Sequence, residues 1–277
     1  MRVAIFGDME GVGGIVHWDQ VAAGHQLYQE GRRLYTEEIN AAVRGAFAAG
    51  ATRAVAADSH GAGSTGTMAG PAFNSLVPEL LDERCEYVTH HGWGNYTELL
   101  EEGCDAAFFV GIHARAGTQD GVLSHTISPR HFSAVHINGT LVGEIGIMAA
   151  ICGHYGVPMA LVTGDEAACR EARELLGPHV RTVAVKKGLS RFAARHLAPA
   201  RARRLIEEGA RDALANLAEV PPWTVPSPVT VTFDIARPDQ MRKYRQMDRI
   251  EIEEPLRVHS RGRDFGEAWF RVAPFPR

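Results

Sequence analysis

Short apolar runs alternate with stretches of helical periodicity over the first two thirds of this chain, and nothing else in the sequence constrains the fold as much. Residues 3–6, 53–57, 106–110 and 158–162 read as strands. Between them, residues 34–49 set Ile39, Val43 and Phe47 on one helical face, and residues 97–104, 141–155 and 166–176 also read as helices. Such alternation predicts an α/β fold, a mostly parallel sheet flanked by helices. The pattern changes near residue 187. An arginine-rich amphipathic helix over 199–217 carries Leu205, Ile206, Ala210 and Leu214, a proline-rich turn follows at 220–228, and 229–233 and 250–252 read as strands. The expected organisation is an α/β domain over 1–187 and a smaller C-terminal α+β portion over 188–277, separate or integrated with the first.

Composition narrows the partners. With 277 residues, 45% hydrophobic and 22% charged, the chain has the make-up of a globular protein. Lys+Arg is 29 against Asp+Glu 33, so the basic excess of a nucleic-acid binder is missing. No apolar run approaches the roughly 18 residues of a membrane span. The first apolar run ends at Asp8, too short for a signal peptide. A cytoplasmic protein without nucleic-acid or membrane partners is expected. Cys85, Cys104, Cys152 and Cys169 form no CxxC pair and read as reduced thiols.

The polar residues gather where the strand-like runs end. The first run leads into Gly7-Asp8-Met9-Glu10-Gly11, the second into Asp58-Ser59-His60-Gly61, the third into Gly111-Ile112-His113-Ala114-Arg115. In an open parallel sheet, ligands bind outside the carboxyl ends of the strands, so these groups are expected around one cleft. Carboxylate oxygens and imidazole nitrogens suit a divalent transition metal such as zinc, and a metal relieves the repulsion between Asp8 and Glu10. Ser124-His125 follows a glycine-rich turn and offers a second histidine for proton transfer or charge stabilisation. Glu144 stands near a helix start, where a carboxylate also complements the dipole. Taken singly, each has an ordinary reading as a solvated acid or a turn histidine. His131 and His136 read as polar strand-edge residues. The loop 61–67 is small in composition and reads as a substrate approach or a plain surface loop.

Together, Asp8-x-Glu10-Gly11, Asp58-Ser59-His60, Gly111-x-His113-Ala-Arg-Ala, Ser124-His125 and Gly143-Glu144-x-Gly146 resemble, in that order, the D-aminopeptidases of peptidase family M55. The similarity runs from residue 1 to about 215 and weakens over the last 60 or so residues; the turn before His125 is one residue longer than the family pattern. The resemblance implies a zinc-dependent aminopeptidase with two metal ions per chain. It makes Asp8, Glu10, His60, His113 and Glu144 the metal ligands, with Asp8 bridging. His125 corresponds to the family's active-site histidine, described there as a nucleophile; a proton shuttle or oxyanion stabiliser is the simpler role beside a metal-activated water. Implied substrates are short peptides with an amino-terminal D-residue such as D-Ala, and the implied assembly is a homodecameric ring of two pentamers. Asp58 and Asp120 are candidates for holding the substrate's free ammonium.

Other readings fit less well. A dehalogenase-type phosphatase needs a lysine before its later acidic motif, and no lysine precedes Lys186. A dinucleotide site at Gly11-Val-Gly13-Gly14 lacks the third glycine of GxGxxG, since position 16 is valine. Hydrolysis of a non-peptide amide, or metal and peptide binding without turnover, are the alternatives that keep the same residues.

Overall fold

The N-terminal apolar run forms β1 (Arg2–Gly7), whose period-two alternation sends Val3 and Ile5 to one face of a sheet and Ala4 and Phe6 to the other. All four are buried, as a strand covered on both faces requires. The computed structural model describes residues 1–63, 72–91 and 97–272. In chain order there follow α1 (Tyr28–Ala48), β2 (Arg53–Asp58), β3 (Ala72–Phe73), β4 (Cys85–Val88), β5 (His90–His91), α2 (Glu98–Glu101), β6 (Ala106–Ile112), β7 (Phe132–Ile137), β8 (Thr140–Val142), α3 (Glu144–His154) and β9 (Met159–Asp165). Then come α4 (Glu166–Leu176), β10 (Arg181–Ser190), β11 (Ala193–His196), α5 (Pro199–Ala215), β12 (Val229–Ile235), α6 (Met241–Tyr244), β13 (Ile250–Glu253), β14 (Arg257–Gly262) and α7 (Phe265–Val272).

A seven-stranded sheet runs β11-β10-β9-β6-β1-β2-β4, parallel except for β11. From β1 the chain first winds one way, to β2 and β4, then crosses back to β6 on the other side and continues to β9 and β10. The order therefore reverses between β1 and β6. Helices α1 and α5 cover one face through Ile39, Val43, Ile206 and Ala210. The other face meets α3 and α4 and, beyond them, a five-stranded antiparallel sheet, β13-β14-β12-β7-β8, with α7. Phe132, Phe233, Phe265 and the fully buried Trp269 fill that second layer.

The mostly parallel α/β sheet expected from the sequence is present, and the strands at 3–6, 53–57, 106–110 and 158–162 all lie in it. Residues 141–155 are not one helix: Leu141 and Val142 belong to β8, Gly143 is extended, and α3 starts at Glu144. The apolar content of β8 reads equally as helix because a three-residue strand is too short to show its period. The boundary expected at 187 falls inside β10, and the five-stranded sheet draws β7 and β8 from one side of it and β12 to β14 from the other. Part of the loop 61–67, from residue 64 on, lies outside the described residues. Among those described, no helix is long and apolar enough to cross a membrane.

Candidate metal centre

The reversal point between β1 and β6 is where an open parallel sheet leaves a crevice at its carboxyl end. Two glycines let the strand ends touch there. Gly11 N donates to Gly111 O at 2.7 Å, and Asp8 N to Val110 O at 2.8 Å. A Cβ on Gly11 would stand 2.0 Å from Ile112 O, and Gly111, at φ +76, would place one 2.2 Å from Asp8 O. Asp8 and Glu10 after β1, His60 after β2 and His113 after β6 therefore share one small volume. His125, from the loop before β7, and Glu144, the first residue of α3, close it from the side of the second layer.

The six residues form two adjoining triads, Asp8–Glu10–His60 and His113–His125–Glu144. His60 Nδ1 lies 3.0 Å from both Asp8 Oδ1 and Glu10 Oε2. His113 Nε2 lies 3.4 Å from Asp8 Oδ2 and 3.2 Å from Glu144 Oε1. Asp8 thus faces both triads with one oxygen each. The His125 ring stacks on His113, centroids 3.9 Å apart, with its Nε2 3.9 Å from Glu144 Oε1. All but Glu144 are less than a tenth exposed.

The far sides of the imidazoles fix their tautomers. His60 Nε2 meets Val21 O at 2.7 Å, His113 Nδ1 meets Ala114 O at 3.0 Å, and His125 Nδ1 meets Leu123 O at 2.9 Å. A carbonyl only accepts, so each of these nitrogens carries the hydrogen and each neutral ring turns a bare lone pair inward. Three lone pairs then face three carboxylates, and Asp8 Oδ2 and Glu10 Oε2 accept no hydrogen bond. Only a positive species between them resolves this arrangement. Imidazoles held by backbone carbonyls opposite carboxylates are the donor set of a divalent transition-metal site, and the residues fit zinc.

Without a metal, protons take that place. Burial and Glu10 raise the Asp8 carboxyl to about 7, while His60 and His113 pull against them. Burial would also raise Glu10 and Glu144, but His60 in one case and His113 in the other hold them below the ordinary range. Burial opposes a charge on His113, yet Glu144 and Asp8 lift it to about 10; Glu10 and Asp8 likewise lift His60. His125 goes the other way, to about 4, through burial and the positive His113 ring beside it.

Several buried ionisable residues hold this arrangement, and the pattern of apolar runs hid their role. Lys186, inside β10 and 2% exposed, donates to Glu10 O at 2.6 Å, Val12 O at 2.8 Å and Ile15 O at 2.7 Å. Glu171 of α4 accepts from Arg115 N, two residues beyond His113, and Asp165 accepts from Val122 N at the root of the His125 loop. Leu123 (φ 50) and Ile127 (φ 62) bracket His125 in the left-handed region, roughly 1 kcal/mol each for such residues. Bonds from Leu123 N to Arg191 O and from Ile127 N to Glu144 Oε1 hold them there. The available signal was a charged residue inside an otherwise apolar strand or helix face, as at Lys186. Lys186→Met leaves three buried carbonyls unpaired and is expected to cost about 3 kcal/mol in urea unfolding. An unchanged midpoint would show that the loop does not depend on it.

Asp58 is not available to a substrate ammonium. It is fully buried, and its oxygens accept from Ser75 N, from His60 N at 3.2 Å and from the Tyr35 hydroxyl at 3.2 Å. It is a carboxylate spent on positioning the His60 turn. Asp120 is exposed and paired with Arg170 at 2.8 Å. His131 bonds Ser128, and His136 lies on β7 near Asp234; neither joins the triads.

Fold and site define a class: an α/β protein whose switch-point crevice carries the carboxylate–imidazole donor set of a divalent-metal centre. The sequence model of the Peptidase_M55 family, described as D-aminopeptidase, matches residues 1–272, well into the C-terminal part where the expected similarity weakened. A D-aminopeptidase of Bacillus subtilis (strain 168) is 35% identical over 256 residues, 91% of this chain and 88% of the relative. The solved structure of "Zn-dependent D-aminopeptidase DppA from Bacillus subtilis, a self-compartmentalizing protease" superposes with a TM-score of 0.86 at 34% identity, covering 97% of this chain and 94% of that one. This chain belongs to the M55 D-aminopeptidase family.

Proposed function

We propose that the chain is a zinc-dependent aminopeptidase that releases the amino-terminal residue, a D-amino acid such as D-Ala, from short peptides. One observation carries the metal part of this reading: three imidazoles with their N–H groups tied to backbone carbonyls present bare nitrogens to three carboxylates, two of them buried and one half-buried. Family membership and the zinc-dependent structural relative support the peptidase part.

Asp8, Glu10 and His60 would hold one zinc ion, and Asp8, His113 and Glu144 a second, with Asp8 shared. When bound, zinc supplies Lewis-acid polarisation of the scissile carbonyl and lowers the pKa of water to about 7. The protein does the rest. Burial excludes bulk water and strengthens every charge interaction inside. His125, its Nδ1–H fixed on Leu123 O, keeps Nε2 free to take a proton and return it to the departing amine.

The test is hydrolysis of D-Ala and L-Ala p-nitroanilides by chelator-stripped and zinc-reloaded protein. Stripped protein is expected to be inactive and zinc to restore cleavage of the D-compound; metal-independent cleavage, or none after reloading, overturns the reading. Zinc loading should also release protons. The His113 imidazole sits at about 10 and His60 well above its ordinary value, so both are protonated at neutral pH and must lose a proton to ligate. Affinity therefore falls as pH falls. Titration calorimetry in buffers of different ionisation enthalpy is expected to give about two protons or slightly more released per chain, from His60, His113 and the partly protonated Asp8; zero would contradict the ligand set.

A ring-shaped homo-oligomer, a decamer, is proposed as the assembly, supported by the self-compartmentalizing relative. Light scattering near ten times the 30.1 kDa chain mass supports it, and a monomer overturns it. A cytoplasmic setting is part of the same proposal.

A further inference from the structure

We propose that Arg191 binds the free carboxylate of the peptide substrate, so that the enzyme favours di- and tripeptides with an uncapped carboxyl end over capped ones; this rests on the aminopeptidase reading above. Arg191 sits at the turn between β10 and β11, and that turn is fastened to the His125 loop, since Leu123 N donates to Arg191 O at 2.8 Å. Its guanidinium lies 5.6 Å from the centroids of both Trp18 and Phe192. Trp18 in turn meets the His125 ring edge-on, centroids 5.5 Å apart. The cation is therefore at most two ring-contact steps from the imidazole placed at the scissile bond.

Among the described residues this charge meets aromatic rings and no anion. Arg191 is exposed, and among the described residues no carboxylate pairs with its guanidinium. By contrast, Arg115 has Glu171, Arg170 has Asp120 and Lys187 has Glu166. Contact with the Trp18 and Phe192 rings does not consume the guanidinium N–H groups, which can grip a carboxylate bidentately.

The substrate supplies the need. A short peptide brings a free carboxylate of its own, and a guanidinium near the scissile bond is the group that holds it through charge-assisted hydrogen bonds. At about 3.3–3.6 Å per residue, a carboxylate one or two residues past the scissile bond lies roughly 4–7 Å beyond it, within reach of the long arginine side chain. An amide-capped peptide forgoes this contact.

Zinc-loaded wild type, Arg191→Ala and Arg191→Lys are compared on D-Ala-D-Ala and on its carboxyl-terminal amide. Arg191→Ala is expected to raise KM for the free dipeptide about ten- to a hundredfold, the worth of a charge-assisted contact, with kcat little changed and the amide unaffected. Arg191→Lys restores part of the loss. Equal losses on both peptides mean that Arg191 only props Trp18, and no loss on either means that it touches no substrate; both overturn the proposal. Wild type that cleaves D-Ala p-nitroanilide but treats dipeptide and amide alike overturns it too. Wild type that cleaves none of the three overturns the aminopeptidase reading itself, and this proposal with it.

Discussion

Asp8→Asn is expected to abolish zinc binding at both triads and to lower kcat/KM by at least about 10³–10⁴-fold, the worth of several kcal/mol of metal-assisted stabilisation. Asp8 is the one residue that faces both triads, with Oδ1 3.0 Å from His60 Nδ1 and Oδ2 3.4 Å from His113 Nε2. Asparagine keeps the shape and one carbonyl oxygen but replaces the other with an NH₂ group, which cannot ligate a cation. The loss should not come from unfolding. Burial and Glu10 raise the Asp8 carboxyl to about 7, so the fold disfavours its charge. Below its unfolded value of 3.8 Asp8 is protonated in both states and the substitution changes little. As pH rises from there to about 7, the wild type bears a growing cost that the asparagine lacks. Metal-free Asp8→Asn should therefore melt at or above metal-free wild type at mildly alkaline pH. Calorimetry and zinc content measured together decide it: retained zinc defeats the shared-ligand assignment, and a clearly lower melting temperature assigns the lost activity to unfolding.

His125→Ala is expected to keep its zinc and lose kcat by about 10²–10⁴-fold, the range for removing a general acid–base group, with KM little altered. The geometry separates His125 from the other two histidines. His60 and His113 each approach carboxylate oxygens at 3.0–3.4 Å, whereas His125 Nε2 stands 3.9 Å from Glu144 and its ring leans on His113. In the metal-free protein burial and the His113 charge lower it to about 4, and with zinc bound burial still favours the neutral ring, ready to accept a proton. Loss of a zinc ion in His125→Ala would make it a ligand instead. An acyl-histidine adduct trapped by rapid quench and mass spectrometry would make it a covalent nucleophile, and the proton-shuttle role would fall.

The site was legible in unequal parts. Asp8, Glu10, His60 and His113 stood out because each follows an apolar run by two to four residues, and the carboxyl ends of parallel strands point to the same edge. His125 and Glu144 carried weaker marks, a glycine-rich turn before one and a helix start at the other, and only the family pattern joined them to the site. Asp58 carried the same mark as its neighbours and misled. It ends β2 like the others, but Tyr35 from α1 and the chain at Ser75 cover it, and neither is foreseeable from positions next to Asp58. Lys186 carried the opposite signal, a charge inside an apolar stretch, and β10 was not among the strands read from the sequence even though the residue anchors the metal loop.

By itself the sequence determined the period of the longer elements of the parallel sheet and its helices, because strand and helix periodicity depend on residues two to four apart. It determined also which chemistry stands at each strand end. The tertiary structure alone decided the strand order that reverses between β1 and β6, the joining of β7 and β8 with the C-terminal strands, and the backbone carbonyls at Val21, Ala114 and Leu123 that turn three imidazoles inward. Those contacts join residues tens to hundreds of positions apart or depend on the path of a loop, and their geometry is set by which apolar faces pack together, which no local pattern encodes.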